Sequence, residues 1–311
     1  MPKVSVIIPI YGVEQFIERC ARSLFEQTID DIEYIFVNDC TIDKSIEVLN
    51  RVIEDYPNRQ DQIKIVNHSV NKGLPAARQT GISMATGDYI IHCDSDDWVT
   101  TDAYEKMYNK ALQDNADIVI CDFFISDGTT HKPYYGTMSN EIHHIIFNYI
   151  NIWTHLVRRE LYSNQISYPS GNMFEDKVVT IQLAFYANKI SLLNEPHYYY
   201  FNNTSSICRV FTEEKCLNRF KQAVANVNII ESFLINNGVS EKYYTEILRL
   251  KYEARHQIAP ITNKRMYYKE WKNCYKEIDK PIIFTNRLSI NERIRFILTY
   301  LKLFPLFKGV E

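Results

Sequence analysis

The sequence predicts an α/β fold, a largely parallel sheet wrapped by helices over residues 1–210, followed by a helical region at 211–311. Three observations lead there. Short β-branched runs alternate with amphipathic segments through the first half, as in a parallel sheet with helical crossovers. The first run, Val4–Ile10, is apolar almost throughout, as a strand buried on both faces requires. Beyond Thr212 strand signals fade and apolar residues recur at helical spacing.

The elements follow in order. After the strand Val4–Ile10, residues Phe16, Ile17, Cys20 and Leu24 fall on one helical face. Glu33–Asn38 is a second strand, and Asp43 is placed to cap a helix carrying Ile46, Leu49 and Ile53. Ile63–Asn67 is a third strand; after Gly73, Pro75 suits the first turn of the next helix. Tyr89–Cys93 and Asp117–Ile125 are further strands, separated by a helix near Asp102–Gln113. From Asp127 to about Cys208 the pattern loosens into turn residues and polar, aromatic-rich segments. Helices are then expected at Glu213–Asn237, Ser240–His256 and Tyr267–Ile278, and a last one opens with the capping-box pair Ser289 and Glu292.

Composition narrows the function classes. The chain has 311 residues, 46% of them hydrophobic and 23% charged, which excludes disordered and collagen-like classes and allows up to about two domains. The 35 Lys and Arg against 38 Asp and Glu supply no general basic field, so no nucleic-acid partner is expected. The seven cysteines are scattered without C-x-x-C spacing, which argues for a reducing compartment and against a thiolate zinc site. The opening MPKVSVIIPIYG has a short apolar run and no small-residue cleavage site, and is read as a strand rather than a leader. No stretch approaches the ~20 apolar residues of a membrane span. A cytoplasmic protein is the expectation.

The sharpest chemical signal is His92-Cys93-Asp94-Ser95-Asp96-Asp97-Trp98, with three carboxylates in four positions directly after a strand. Such carboxylates repel one another unless a cation intervenes, and strand C-termini are where α/β sheets open a ligand crevice. Oxygen ligands suit Mg²⁺ or Mn²⁺ held by one or two carboxylates together with substrate phosphates. A solvated acidic turn capping the next helix accounts for the same residues. Other strand ends add polar groups at the same edge. Tyr11, after Pro9, suits stacking on a base; Asp39 suits accepting from a base imide; Lys72 brings a cation toward phosphates; and Arg78 lies one turn into the next helix.

In this order the residues resemble an inverting family 2 glycosyltransferase with the GT-A fold. The family pattern V-S-V-I-I-P-x-Y stands here as Val4–Tyr11, V-N-D as Val37–Asp39, and N-x-G-x-x-x-A-R as Asn71–Arg78. D-S-D-D is Asp94–Asp97, W-x-x-L-x-R-R-E-L is Trp153–Leu161, E-D is Glu175-Asp176, and Y-x-Y is Tyr198–Tyr200. The match covers residues 3–207. The resemblance implies a Rossmann-like mixed sheet with helices on both faces, and transfer of a sugar from a nucleotide-diphosphate donor, usually a UDP-sugar, to an acceptor hydroxyl. It implies that Pro9, Tyr11, Asp39, Lys72, Arg78, Asp94 and Ser95 bind the nucleotide, with Tyr11 and Asp39 at the base and Asp94 at the ribose. Asp96 would hold Mn²⁺ or Mg²⁺, Asp176 (in reserve Glu175) would be the general base, and Trp153 and His155 would lie on the acceptor side. Similar chains commonly build bacterial surface polysaccharide on a carbohydrate or lipid-linked acceptor at the inner face of the plasma membrane.

The chain departs from the pattern at three places: Gly12 stands where Asn is common, Phe201 where Arg is frequent, and Thr154-His155 where Asn-Lys is common. Arg209 is a candidate to replace the cation absent at 201. Two competing readings remain. A non-catalytic relative that binds nucleotide sugar is disfavoured by intact Asp94, Asp96 and Asp176. An aspartyl-nucleophile phosphohydrolase usually wants D-x-D-x-T/V, which Asp94–Trp98 does not provide. His143-His144 lacks the i, i+4 spacing of a helical zinc pair and is read as polar surface. In Arg287–Lys308, basic residues are interleaved with Ile294, Phe296, Ile297, Tyr300, Leu301, Phe304 and Phe307. Peripheral contact with an anionic membrane, and packing on the domain itself or on a second subunit as in a homo-oligomer, fit that segment equally.

Overall fold

A computed structural model describes residues 2–136, 151–169, 171–202, 212–286 and 288–303. It divides into two compact units, Met1–Tyr168 with Val179–Asn203, and Pro169–Val178 with Thr204–Glu311.

The first unit is built on one mixed sheet. Its strands are β1 (Val4–Ile10), β2 (Ile32–Asn38), β3 (Ile63–Asn67), β4 (Tyr89–His92), β5 (Trp98–Val99), β6 (Ile118–Ser126), β7 (His131–Tyr134), β8 (His155–Arg158) and β9 (Ile190–Phe201). The order is β3-β2-β1-β4-β8-β6-β9-β5, with β7 paired to β6. β1, β2, β3 and β4 run parallel, whereas β8 is antiparallel to both β4 and β6.

Side-chain alternation along the strands supplies two cores. Val4, Val6, Ile8 and Ile10 of β1 join Tyr34 and Phe36 of β2 on one face. That face is covered by α1 (Ile17–Phe25), α2 (Ser45–Glu54) and α4 (Ala103–Asp114), through Leu24, Leu49 and Met107 among others. Ile7, Ile35, Val37 and Ile90 point the other way, onto Ala77 of α3 (Leu74–Met84). Burial on both faces explains the nearly continuous apolar run of β1. The N-cap of α2 is Lys44 rather than the expected Asp43, which lies one residue earlier and accepts the Ser45 amide at 3.1 Å.

The segment read as loose from Asp127 onward holds more order than the pattern suggested. β9 is 12 residues long, and α5 (Glu175–Tyr186) precedes it. Its strand signal is broken by Asn194-Glu195-Pro196. The pairing with β6 jumps there, from Cys121↔Leu193 to Asp122↔Pro196, so Asn194 and Glu195 bulge out exposed. A bulge also frees Pro196 from supplying an amide to the ladder.

The second unit holds α6 (Glu213–Asn236), α7 (Tyr244–His256), α8 (Arg265–Asn273), α9 (Pro281–Phe284) and α10 (Ile290–Tyr300). Thr212 caps α6, and the expected capping box of Ser289 and Glu292 opens α10. α7 starts later than its periodicity suggests. The helix expected over Tyr267–Ile278 ends at Asn273, because Tyr275 takes a left-handed conformation with φ 50°. Trp271, Tyr252, Tyr268 and Phe296 form the centre of this unit. Buried Arg255 lies 3.9 Å over the Trp271 ring and pairs with Asp279 at 2.5 Å. No helix among the described residues is long and apolar enough to cross a membrane. Among the described residues Cys20, Cys40, Cys93, Cys121 and Cys274 are free thiols.

Candidate active site

Parallel register brings the strand-end residues to one edge. Ile10 pairs with Asn38 and Asn38 with Asn67, so Tyr11, Asp39 and His68 leave the sheet side by side. His92 at the end of β4 pairs with Ile7, and the acidic turn follows at the same edge. Tyr11 is half exposed. Gly12 after it has φ 69°. Glycine and asparagine are the residues that visit this region most readily, which accounts for Gly12 where Asn is commoner.

Asp39 is only 3% exposed and organises its surroundings. Its Oδ1 accepts from the Lys72 amide at 2.8 Å and faces His68 Nδ1 at 2.7 Å, and its Oδ2 accepts from the Gly73 amide at 2.8 Å. Gly73 sits at φ 86°, a conformation that presents its N–H to the carboxylate at the start of α3. His68 Nε2 continues the chain to Thr80 Oγ1 at 2.9 Å. The Lys72 side chain is exposed.

The acidic residues form a tight turn, the Asp97 amide donating to the Asp94 carbonyl at 3.0 Å. Within it Asp94 and Asp96 are half buried, while Ser95 and Asp97 are buried. Buried Arg78 donates to Asp94 Oδ1 at 2.6 Å. Ser95 Oγ donates to the Pro9 carbonyl at 2.5 Å, tying the turn to β1. Asp97 accepts from the Tyr198 hydroxyl and from the Phe201 amide, each at 2.7 Å. The same Tyr198 oxygen accepts from the Asp94 amide at 3.1 Å. Burial pushes the Asp97 carboxyl well above the usual range, and Asp96 and Asp94 add to the shift. Burial likewise holds His92 well below its ordinary pKa, with the Arg78 charge second, so it stays neutral.

Arg19 of α1 approaches the turn from behind. Its guanidinium lies 3.6 Å over the Trp98 ring and 4.7 Å over Phe201, and donates to the Asp96 carbonyl at 2.9 Å. A cation therefore adjoins the turn although position 201 is Phe; Arg209 lies outside the described residues, as do His143 and His144.

Both acceptor-side candidates are interior. Trp153 is buried and stacks on Tyr198, with ring centroids 4.2 Å apart. Buried His155 places Nδ1 2.8 Å from the Asn151 carbonyl. Glu175 and Asp176 open α5, directly after Phe174 at φ 62°; Glu175 is buried and Asp176 half buried. Among the described residues no three His, Cys, Asp or Glu side chains converge as a ready-made cation site. A single carboxylate completed by phosphate oxygens is a set that half-buried Asp96 fits, Asp94 being paired with Arg78.

Four residues of this edge escaped the sequence reading in their roles: Arg19, His68, Asp97 and Tyr198. His68 carries the same signal as Asp39, a polar residue directly after a parallel strand. Tyr198 lies on the buried phase of an alternating strand, where a phenol needs a partner. Arg19 carries no local signal.

The family model for glycosyl transferase family 2 matches residues 5–180. The chain is 35% identical over 226 residues to the uncharacterized glycosyltransferase EpsJ of Bacillus subtilis, a match taking in 68% of this chain and 64% of that protein. Its fold is similar to that of S. aureus TarS 1-349 solved in complex with UDP-GlcNAc, with TM-score 0.61, 19% identity, and coverage of 96% of this chain and 92% of that one. The mannosyltransferase PcManGT from Pyrobaculum calidifontis, solved with GDP-Man and Mn²⁺, is similar with TM-score 0.59, 15% identity, and coverage of 97% and 87%. The strand-end edge, the family match and the shared architecture agree: the chain belongs to glycosyl transferase family 2 and has the GT-A fold.

Proposed function

We propose that the protein transfers a sugar, with inversion, from a UDP-sugar to an acceptor hydroxyl on a carbohydrate or lipid-linked carbohydrate, in bacterial surface polysaccharide synthesis. The observation that carries this reading is the convergence of Tyr11, Asp39 and the Asp94–Asp97 turn at one sheet edge, with Arg78 paired to Asp94 at 2.6 Å.

Tyr11 stacks on the base, and Asp39 accepts from the base imide. Asp39 Oδ2 takes an N–H from Gly73, and a carboxylate oxygen has room for a second donor. Pro9 and Ser95 hold the edge beside the nucleotide, Lys72 and Arg78 bring positive charge toward the phosphates, and Asp94 accepts from the ribose. Asp96 would hold Mn²⁺ or Mg²⁺, which would offset charge developing on the leaving diphosphate. Asp176 takes the proton of the acceptor hydroxyl; the hydroxyl oxygen bonds to the anomeric carbon as that carbon's bond to the diphosphate oxygen breaks. Of the adjacent carboxylates, Asp176 is the more accessible, which favours it over Glu175. Trp153 and His155 support the acceptor side from within. Tyr11, Asp39 and the Asp94–Asp97 turn, which carry the donor chemistry, all belong to the first unit.

Incubation with a panel of nucleotide sugars and Mn²⁺ or Mg²⁺, with release of nucleotide as the readout, tests the reaction. Asp176→Asn is expected to lower turnover by roughly 10²–10⁴-fold with donor affinity near that of the parent. Normal transfer by Asp176→Asn with an inactive Glu175→Gln would reassign the base, and normal transfer by both would remove the pair from the mechanism.

A further inference from the structure

α10 presents two faces. Phe296 and Thr299 point inward, Phe296 packing 5.6 Å from Trp271. On the opposite side Ile290, Ile294, Ile297 and Leu301 follow at i, i+4, i+7 and i+11, one continuous stripe on a helix of 3.6 residues per turn. All four are exposed, Ile290 to 74% and Leu301 to 58%. A run of large aliphatic side chains left in water on a single face marks an interaction surface.

The surrounding charge identifies the partner. From Leu288 to Leu303 the ionisable residues are Arg293, Arg295 and Lys302 against Glu292 alone. Glu292 is held in the capping box at the first turn, accepting from the Ser289 amide and hydroxyl at 2.7 Å each, and its single charge is outnumbered by three cations. By helical angle, Arg293 flanks the stripe on one side and Arg295 on the other, while Lys302, at φ 62°, lies just past the end of the helix. Arg293 donates to the carbonyls of Leu288 and Thr285, neutral acceptors that leave its charge in place. Lys302 is exposed, 4.6 Å over the Tyr268 ring, with Lys272 near by over the Tyr300 ring at 4.8 Å. A second copy of this helix would set these cations against their like, whereas phospholipid headgroups oppose them with negative charge.

We propose that α10 is a membrane-surface helix, seating Ile290, Ile294, Ile297 and Leu301 among the acyl chains of an anionic bilayer while Arg293, Arg295 and Lys302 meet the headgroups. The helix lies in the interface plane and its inner face stays on Trp271. Because the stripe is solvent-exposed, its replacement leaves the packing of the unit intact.

The full chain is mixed with vesicles of phosphatidylcholine alone or with phosphatidylglycerol, and the bound fraction is measured by co-sedimentation. Binding is expected only with phosphatidylglycerol and is expected to weaken as salt rises. The variant Ile290→Ser/Ile294→Ser/Ile297→Ser should lose at least about tenfold in partitioning. Lys302→Glu should lose about fivefold or more, since one basic residue near an anionic surface contributes about that factor. Circular dichroism and thermal midpoint should match the parent in both variants. No pelleting of the parent with phosphatidylglycerol vesicles, or equal pelleting of parent and both variants, overturns the proposal. So does parental self-association in sedimentation velocity that the triple variant abolishes without any vesicle binding, since the stripe would then belong to a second copy.

Discussion

Asp39 and Asp97 are both buried carboxylates just beyond parallel strands, at 3% and 1% exposure, yet their surroundings are opposite. Asp39 faces two backbone amides and His68, with no acidic neighbour in its hydrogen-bonded set. Asp97 has two donors, Tyr198 and Phe201, and shares its turn with Asp94 and Asp96, which together with burial drive its carboxyl upward. One corner is a carboxylate satisfied by its own loop, the other a crowded acidic turn held by a distant strand. A buried carboxylate therefore takes its character from the donors supplied, and residue type or strand-end position alone does not decide it.

The largest test of this contrast is Asp96→Ala. Metal-dependent UDP binding, measured by calorimetry with Mn²⁺, should be abolished, because the diphosphate would face the remaining carboxylates without its neutralising cation. Unchanged affinity and metal dependence would remove Asp96 from the metal site.

At the other corner, Asp39→Ala should weaken UDP binding by roughly 1.5–3 kcal/mol through loss of a charge-assisted hydrogen bond. Preference for UDP over GDP should fall with it. If calorimetry finds both affinities as in the parent, Asp39 serves only its loop and the corners differ in function as well as in structure.

Tyr198→Phe removes the hydroxyl that joins the Asp94 amide to Asp97, leaving two buried groups short of a partner at about 1–3 kcal/mol. The thermal midpoint should drop, and transfer with it, while Tyr11 and Asp39 still bind uridine. A variant with parental melting and parental transfer would show that the turn holds itself.

The smallest effect is expected from His68→Gln, which keeps a donor toward Asp39 but loses the continuous link to Thr80. Donor affinity should change by about 1 kcal/mol or less, a single neutral hydrogen bond. A loss equal to that of Asp39→Ala would make the imidazole part of base recognition itself.

Much of the sheet edge was legible before any coordinates. Tyr11, Asp39 and Asp94 were found because parallel strands read as apolar runs and their C-termini follow directly in the chain. β9 was obscured, since the bulge at Asn194 and Glu195 interrupts its alternation just where Pro196 suggests a break. The interior positions of Trp153 and His155 were also beyond local pattern. Their burial comes from β6 and β9, brought together only by the folded sheet.

By itself the sequence determined the α/β class, the positions of the first four strands along the chain, the acidic turn and the capping box of α10. All of these depend on residues within a few positions of one another, where spacing and side-chain chemistry suffice. Only the tertiary structure decided which carboxylate of Asp94–Asp97 is buried, that Tyr198 holds it from 101 positions away, and that Arg19 donates to Asp96 across 77. Such pairings close long loops, and their free energy comes from burying and satisfying groups that no local window contains.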